Sequence, residues 1–236
     1  FSMPPMTKRP ESVSLGRRHP ADIADEWQRL GTEQAVAALR ALPAAAAAEV
    51  LAELDEEFAR DIAARLSSPE IARLIEDLPH DEAADIASDL EPERQSEVLA
   101  GLPPAESLQV SRLLRYPADS VGAIMKDEFI ALPDTVTIAE GLERIRRQEE
   151  EFAGATYVYV VDAGQKLVGV VPLRHLVFLA PARRLRDVMI PDVRFVRVDT
   201  DQEEVARLFS QYHFLALPVL DADGRLVGVV EARQVI

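Results

Sequence analysis

The chain has 236 residues, 48% of them hydrophobic, and a formal net charge of −15. That length can hold two compact units with their own cores, and the apolar content argues against a chain disordered throughout. The acidic surface repels nucleic acid and anionic headgroups, and the lack of cysteine removes disulfides, thiolate metal sites and cysteine nucleophiles together.

The charge is unevenly spread. Residues 49–97 hold 16 acids against 4 bases, a surface that attracts cations. No run of about 18 apolar residues reads as a membrane-spanning helix, and no signal-peptide pattern is present. Residues 1–18, which begin Phe1-Ser2-Met3, read as a disordered lead or tag segment. The whole reads as a piece of a longer protein.

A strict repeat follows over 19–115. Leucines stand at Leu30, Leu42, Leu54, Leu66, Leu78, Leu90, Leu102 and Leu114, each twelve residues after the last. Four positions before the last seven stand Ala38, Val50, Ile62, Leu74, Ile86, Val98 and Val110, so each pair shares one helix face. Pro43, Pro69, Pro79, Pro92 and Pro103 recur between the pairs, where a first helical turn tolerates proline and an interior does not. The unit is therefore a helix of about eight or nine residues and a short turn. Such a helix is marginal alone, but stacked units bury a common stripe, as in a superhelical solenoid. Twelve is not a coiled-coil period. Trp27 is read as core.

Residues 116–236 carry a different, duplicated pattern. Segments 157–171 (YVYVVDAGQKLVGVV) and 217–230 (LPVLDADGRLVGVV) are each a β-branched run, a polar turn with glycine, and a second β-branched run. That is hairpin chemistry. An amphipathic helix precedes each, over 137–147 and 201–212. Asp201, Glu203 and Glu204 suit the start of the second, where acids meet the positive end of the helix dipole. Upstream of each helix lies a methionine, Met125 or Met189, and a short strand that begins near Phe129 or Phe195.

This doubled unit resembles a tandem CBS pair. The segment 114–125 (LRYPADSVGAIM) and the segment 198–208 (VDTDQEEVARL) resemble the cytosolic part of MgtE-type magnesium transporters. The resemblance implies an α plus α/β fold: an all-α superhelical N domain over 19–115, a hinge over 116–124, and two CBS modules of β-α-β-β-α order over 125–182 and 183–236. It implies a place on the cytoplasmic face of the membrane, a homodimer formed through the CBS modules, and a partner in the family's own transmembrane domain, which these residues do not include. Nucleic acid is not an expected partner. It further implies a Mg2+ sensor, with Ca2+ or Mn2+ able to stand in. In such a sensor, carboxylates of the helical and CBS parts share cations and so gate the transporter by metal-dependent association. Matched by local sequence, the candidate metal ligands are Glu49, Asp81 and Asp85 in the helical part and Asp201 and Glu203 in the second CBS module. Three positions depart from the family pattern: His213 and Gln234 replace expected aspartates, and Ala123 interrupts a glycine pair. A histidine is a poor ligand for hard magnesium.

Two other functions remain open. One is an adenine-nucleotide sensor for ATP or AMP, with Tyr157, Arg174, Phe214 and Pro218 lining the pocket. Against it, the Ser/Thr and Asp that CBS pairs place after the GVV strand are here Pro172 and His175, and Glu231 and Gln234. The other is a dimerisation scaffold that senses nothing. An enzyme is not expected: no HExxH, P-loop, glycine-rich dinucleotide turn or nucleophile–histidine arrangement is present.

Overall fold

The computed structural model describes residues 18–76, 78–147 and 155–235. Nearly all of the expected lead segment falls outside them. The chain divides into two compact units between Ser111 and Arg112.

The first unit is built from helices α1 (Pro20–Leu30), α2 (Thr32–Ala41), α3 (Ala44–Ala52), α4 (Glu56–Ala63), α5 (Ser68–Ile75), α6 (His80–Ser88), α7 (Pro92–Gly101) and α8 (Pro104–Leu113), the last of which runs across the boundary. Prolines open α1, α5 and α7 in their first turns, where the missing N–H has no partner to lose. Ser67 and Glu70 cap α5 reciprocally.

The repeated leucine turns out to be the residue that closes each helix. Leu42, Leu54, Leu66, Leu78, Leu90 and Leu102 each donate their N–H to the carbonyl three residues back, at 3.1–3.4 Å. This tighter bond ends the helix and takes up an otherwise orphaned carbonyl. The position four before it faces the core: Val50, Ile62, Leu74, Val98 and Val110 are buried, each contributing about 1.5–3 kcal/mol. Trp27 is buried as expected, whereas Leu30 is 47% exposed.

Most helices pack chiefly on the second helix along, although α1 also packs on α2. α1 packs on α3, α3 on α5 and α5 on α7, while α2 packs on α4. Two polar links follow the same rule, Arg60 of α4 with Asp89 at the end of α6 at 3.1 Å and Ser68 of α5 with Glu97 of α7 at 2.6 Å, whereas Arg40 of α2 crosses between rows to Glu70 of α5 at 2.8 Å. The helical solenoid is thus two rows of short helices.

The second unit contains α9 (Val121–Ile124), β1 (Ile130–Pro133), α10 (Ile138–Arg147), β2 (Tyr157–Val161), β3 (Leu167–Pro172), α11 (Leu173–Leu176), β4 (Val196–Arg197), α12 (Gln202–Tyr212), β5 (Ala216–Leu220) and β6 (Leu226–Glu231). The strands form two three-stranded sheets, β1-β2-β3 and β4-β5-β6. In each, the first pair is parallel and the second antiparallel. The antiparallel register slips at matching places, between Val160 and Val161 and between Val219 and Leu220. The first repeat ends in α11, but the second ends in a 3-10 turn over Ala232–Gln234. Tyr159, Val161, Leu220, Leu226 and Val229 form a core cluster drawn from both sheets.

Each repeat lends its lead-in segment to the other. Lys126 and Val229 exchange backbone hydrogen bonds at 2.8 and 2.9 Å, and Val170 and Ile190 do so at 3.0 and 2.9 Å. Met125 thereby lies on Gly228 and Met189 on Gly169, with no room for a Cβ at either glycine. The glycine of the doubled LVGVV word has a packing cause: the strand must let a thioether from the opposite repeat lie flat on its backbone.

Segment 116–124, expected as a hinge, is bonded into this unit. Val121 N–H donates to Thr200 O at 2.8 Å and Gly122 N–H to Val198 O at 2.9 Å. The Gln202 side-chain amide donates to the carbonyls of Ala118 and Ser120 at 2.8 and 3.1 Å.

Candidate functional site

A cleft of about 590 Å³, counting space open to solvent, lies between the two sheets. β2 supplies Tyr157 and Tyr159, β5 supplies Pro218, the turn after α12 supplies Phe214, and the segment between Ile190 and β4 supplies Asp192 and Arg194. The aromatic and proline surfaces suit a flat ring. Of the four residues expected around a nucleotide, Tyr157, Phe214 and Pro218 share this cleft. Arg174, on α11, is exposed and is not among the lining residues.

Tyr159 is 2% exposed and its hydroxyl has no hydrogen-bond partner among the described residues. Burial pushes its pKa above the ordinary value, with Tyr157 and Glu231 adding to the effect, so it remains a neutral donor. Arg194 lies over the Tyr212 ring, 4.9 Å from guanidinium carbon to centroid. Tyr212 in turn stacks on Phe214, with centroids 5.5 Å apart and planes 26° apart.

The expected metal ligands occupy three helix starts or faces. Glu49 is exposed on α3. Asp81 and Asp85 lie one turn apart on α6, the first 8% exposed and the second open, so the spacing does place them on one side of a helix. Asp201 caps α12, its Oδ1 accepting from Glu203 N–H at 2.7 Å, and Glu203 is exposed in the first turn. Both acids therefore have local reasons to be where they are.

Two of the departures from the family pattern have structural consequences. His213 closes α12 in the left-handed region, with φ 54° and ψ 36°, and is exposed. Gln234 uses both ends of its amide: Oε1 accepts from Glu231 N–H at 2.8 Å and Nε2 donates to Ile124 O at 2.6 Å. An aspartate could not make the second bond.

The family model for the MgtE intracellular N domain matches residues 18–119, and the model for the CBS domain matches 121–181 and 185–236. The crystal structure of the cytosolic domain of the Mg2+ channel MgtE in complex with ATP superposes with a TM-score of 0.86 at 36% identity, over 93% of this chain and 90% of that one. The chain belongs to the MgtE family. The soluble part of a second magnesium transporter matches with a TM-score of 0.82 at 28% identity, over 92% of this chain and 86% of that one. The magnesium transporter MgtE of Thermus thermophilus is 37% identical over 221 residues, which is 92% of this chain and 49% of that protein. The Bacillus subtilis MgtE is 35% identical over 132 residues, 56% of this chain and 29% of that protein. The chain thus spans about half the length of the Thermus relative. Within the MgtE family it corresponds to the region that carries the N domain and the CBS modules. Among the described residues no helix is long and apolar enough to cross a membrane.

Asp192, Arg194 and Tyr159 were not anticipated as lining residues. The first two lie in a six-residue stretch, IPDVRF, between Met189 and β4, with no periodicity to mark it. Only the charged pair at i and i+2, just after a methionine that recurs in both repeats, was there to be noticed.

Proposed function

We propose that this chain is the cytoplasmic regulatory region of a magnesium-transporting membrane protein and that its acidic residues read the divalent cation concentration. The observation that carries this is the likeness to an MgtE cytosolic domain across both units, over 93% of the chain at 36% identity. The reading assigns cation uptake to Glu49, Asp81 and Asp85 in the first unit and to Asp201 and Glu203 in the second. Magnesium keeps several of its waters and takes one or two carboxylates at a time, so each site is weak and tuned to free cellular cation. A cation that binds one conformation better than another shifts the population by that difference and no more. The exposed Val177 and Phe178, at 73% and 86%, offer an apolar surface for a CBS-mediated homodimer. The test is thermal stability and X-ray scattering of the chain with and without about 10 mM Mg2+. Wild type is expected to gain stability and change its radius of gyration, and a combined Glu49→Gln, Asp81→Asn, Asp85→Asn variant to do neither. A wild type indifferent to Mg2+, Ca2+ and Mn2+ would end the sensor reading.

A second reading has its own observation. Tyr157, Phe214 and Pro218 face one cleft, and the solved relative of 36% identity was in complex with ATP. We infer that the cleft takes an adenine nucleotide. Calorimetry with adenosine, AMP and ATP on wild type and Tyr157→Ala tests it; heat of binding that survives the substitution unchanged would place the ligand elsewhere.

A further inference from the structure

Residues 174–186 (RHLVFLAPARRLR) carry four arginines and no acid, in a chain whose formal net charge is −15. Arg174 lies on α11, and Arg183, Arg184 and Arg186 follow it; all four are exposed. With acid in surplus, an exposed arginine readily finds a carboxylate, and at least eight others among the described residues do form ion pairs. None of these four does so among the described residues. Arg183 donates to the Asp187 carbonyl at 2.6 Å and Arg184 to the Thr135 carbonyl at 3.4 Å. Such bonds to neutral oxygen fix a guanidinium and leave its charge uncompensated.

The end of this stretch is also held in place. The N–H groups of Ile138 and Ala139, at the start of α10, donate to the carbonyls of Arg183 and Pro181 at 2.9 and 3.0 Å. Those of Leu185 and Arg186 donate to the carbonyls of Val136 and Asp134 at 2.9 and 3.0 Å. Charges on a fixed backbone lose less freedom when an anion arrives. Arg144 and Arg146 of α10 add to the charge, while Asp134, Glu140 and Asp187 subtract from it, which leaves an excess of three positive charges. Glu140 is already engaged, its Oε2 accepting from the Thr137 N–H and hydroxyl, both at 2.9 Å.

Clusters of about four to eight arginines or lysines close to a bilayer attract anionic headgroups. A long polyanion such as duplex nucleic acid would also meet the acidic remainder of the chain, whereas a bilayer presents its charge to one side only. We propose that the arginines of residues 174–186 dock this region on anionic phospholipid headgroups. This rests on the reading of the chain as part of a membrane protein and not on cation sensing. The attraction reaches about 8 Å at physiological salt, so it acts on a region tethered close to the bilayer. Val177 and Phe178, assigned above to a homodimer, stand between these arginines in the chain. A dimer formed there carries two such sets, and two weak sets hold a surface better than one.

The test is co-sedimentation of the 236-residue chain with vesicles in the presence of a chelator. One set is phosphatidylcholine alone and the other contains about one-third phosphatidylglycerol. Binding is expected to the anionic set only and to fade as salt rises from about 0.05 to 0.5 M. Arg174 and Arg186 suit the substitution, because their side chains make no hydrogen bond among the described residues. Arg174→Gln with Arg186→Gln should weaken partitioning about 25-fold, at about fivefold per arginine. Lysine at both positions should keep most of the binding, since the attraction is one of charge. The proposal is overturned if neutral vesicles bind equally well, or if the double Gln variant binds as wild type does. It is also overturned if that variant loses self-association while vesicle binding stays unchanged, which would make the stretch a contact with the acidic surface of a second copy. Equal retention of a short DNA duplex, lost in the same variant, would make it a general polyanion site and overturn the lipid assignment. A chain that responds to Mg2+ yet ignores anionic vesicles would overturn this proposal and leave the sensor reading standing.

Discussion

Met125 lies against Gly228 in the strand of the opposite CBS repeat, and there is no space between them for a methyl group. The twin contact, Met189 on Gly169, has the same form. Gly228→Ala and Gly169→Ala should therefore each destabilise the second unit by about 1–3 kcal/mol through overpacking. Met125→Ala combined with Gly228→Ala should lose less than the sum of the two single changes, since the truncated side chain makes room for the methyl. Chemical denaturation of the four variants checks this. Additive losses would mean that the pair does not interact as described.

The two hairpin turns each contain one glycine, but at different positions, Gly164 in the first and Gly224 in the second. Asp162 and Asp221 each use Oδ1 to accept two backbone N–H groups of the turn, at 2.8 and 2.9 Å in the first and 2.9 Å twice in the second. The left-handed position is Gln165, φ 62°, in the first turn and Gly224, φ 78°, in the second. A residue with a Cβ is strained there by about 1–2 kcal/mol. Gln165→Gly is expected to stabilise the protein by up to about 1 kcal/mol, after its greater unfolded entropy is allowed for. Gly224→Ala should destabilise it by a comparable amount. The sign of each shift in melting temperature decides.

Glu70 gives the helical unit an acid-sensitive contact. The Arg40 guanidinium beside it, then the Ser67 backbone and hydroxyl, lower its carboxyl pKa from the ordinary 4.5 to about 2. A group depressed on folding adds stability above its unfolded pKa and loses it as pH falls through the folded value. The contribution is therefore complete above about pH 5 and fades between there and pH 2. Because the pair is partly exposed, it is screened and modest. Glu70→Gln should lower stability at pH 7 and flatten the dependence of melting temperature on pH over that window. An unchanged slope would rule out Glu70 as the responsible group.

Gln234 holds the last 3-10 turn to the end of α9. Gln234→Glu keeps the length and the acceptor for Glu231 N–H but cannot donate to Ile124 O, and it sets a negative charge against a carbonyl. A loss of about 1–2 kcal/mol is expected, measurable as a shift in denaturation midpoint with an unchanged slope. The position that reads in sequence as a missing metal ligand is in this chain a working hydrogen bond.

The repeat of the first unit was legible because leucines mark the ends of its helices and prolines mark most of the starts, α2 and α4 excepted. What the period does not contain is the stacking order: Val50 and Leu74 belong to one row, Ile62 to the other, and a spacing of twelve is silent on which neighbours touch. The second unit was legible from its two hairpins, which are local. That Met125 meets Gly228 is not local, for the residues are a hundred positions apart and only their repetition hinted at a link. In the cleft, Tyr157, Phe214 and Pro218 sit on or beside regular strands and could be placed. Arg174 sits two residues beyond the end of β3, at the start of α11, where a small error in direction moves a long side chain out of the pocket. Asp192 and Arg194 lie where the chain has no period at all.

The two-row stacking of the helical unit restricts how such a protein can change length. Deleting or inserting one helix would send every later helix to the opposite row, separating Arg60 from Asp89 or Ser68 from Glu97. Gains and losses must come two helices at a time, so lineages of this domain should differ in size by steps of about twenty-four residues, the span of two such units.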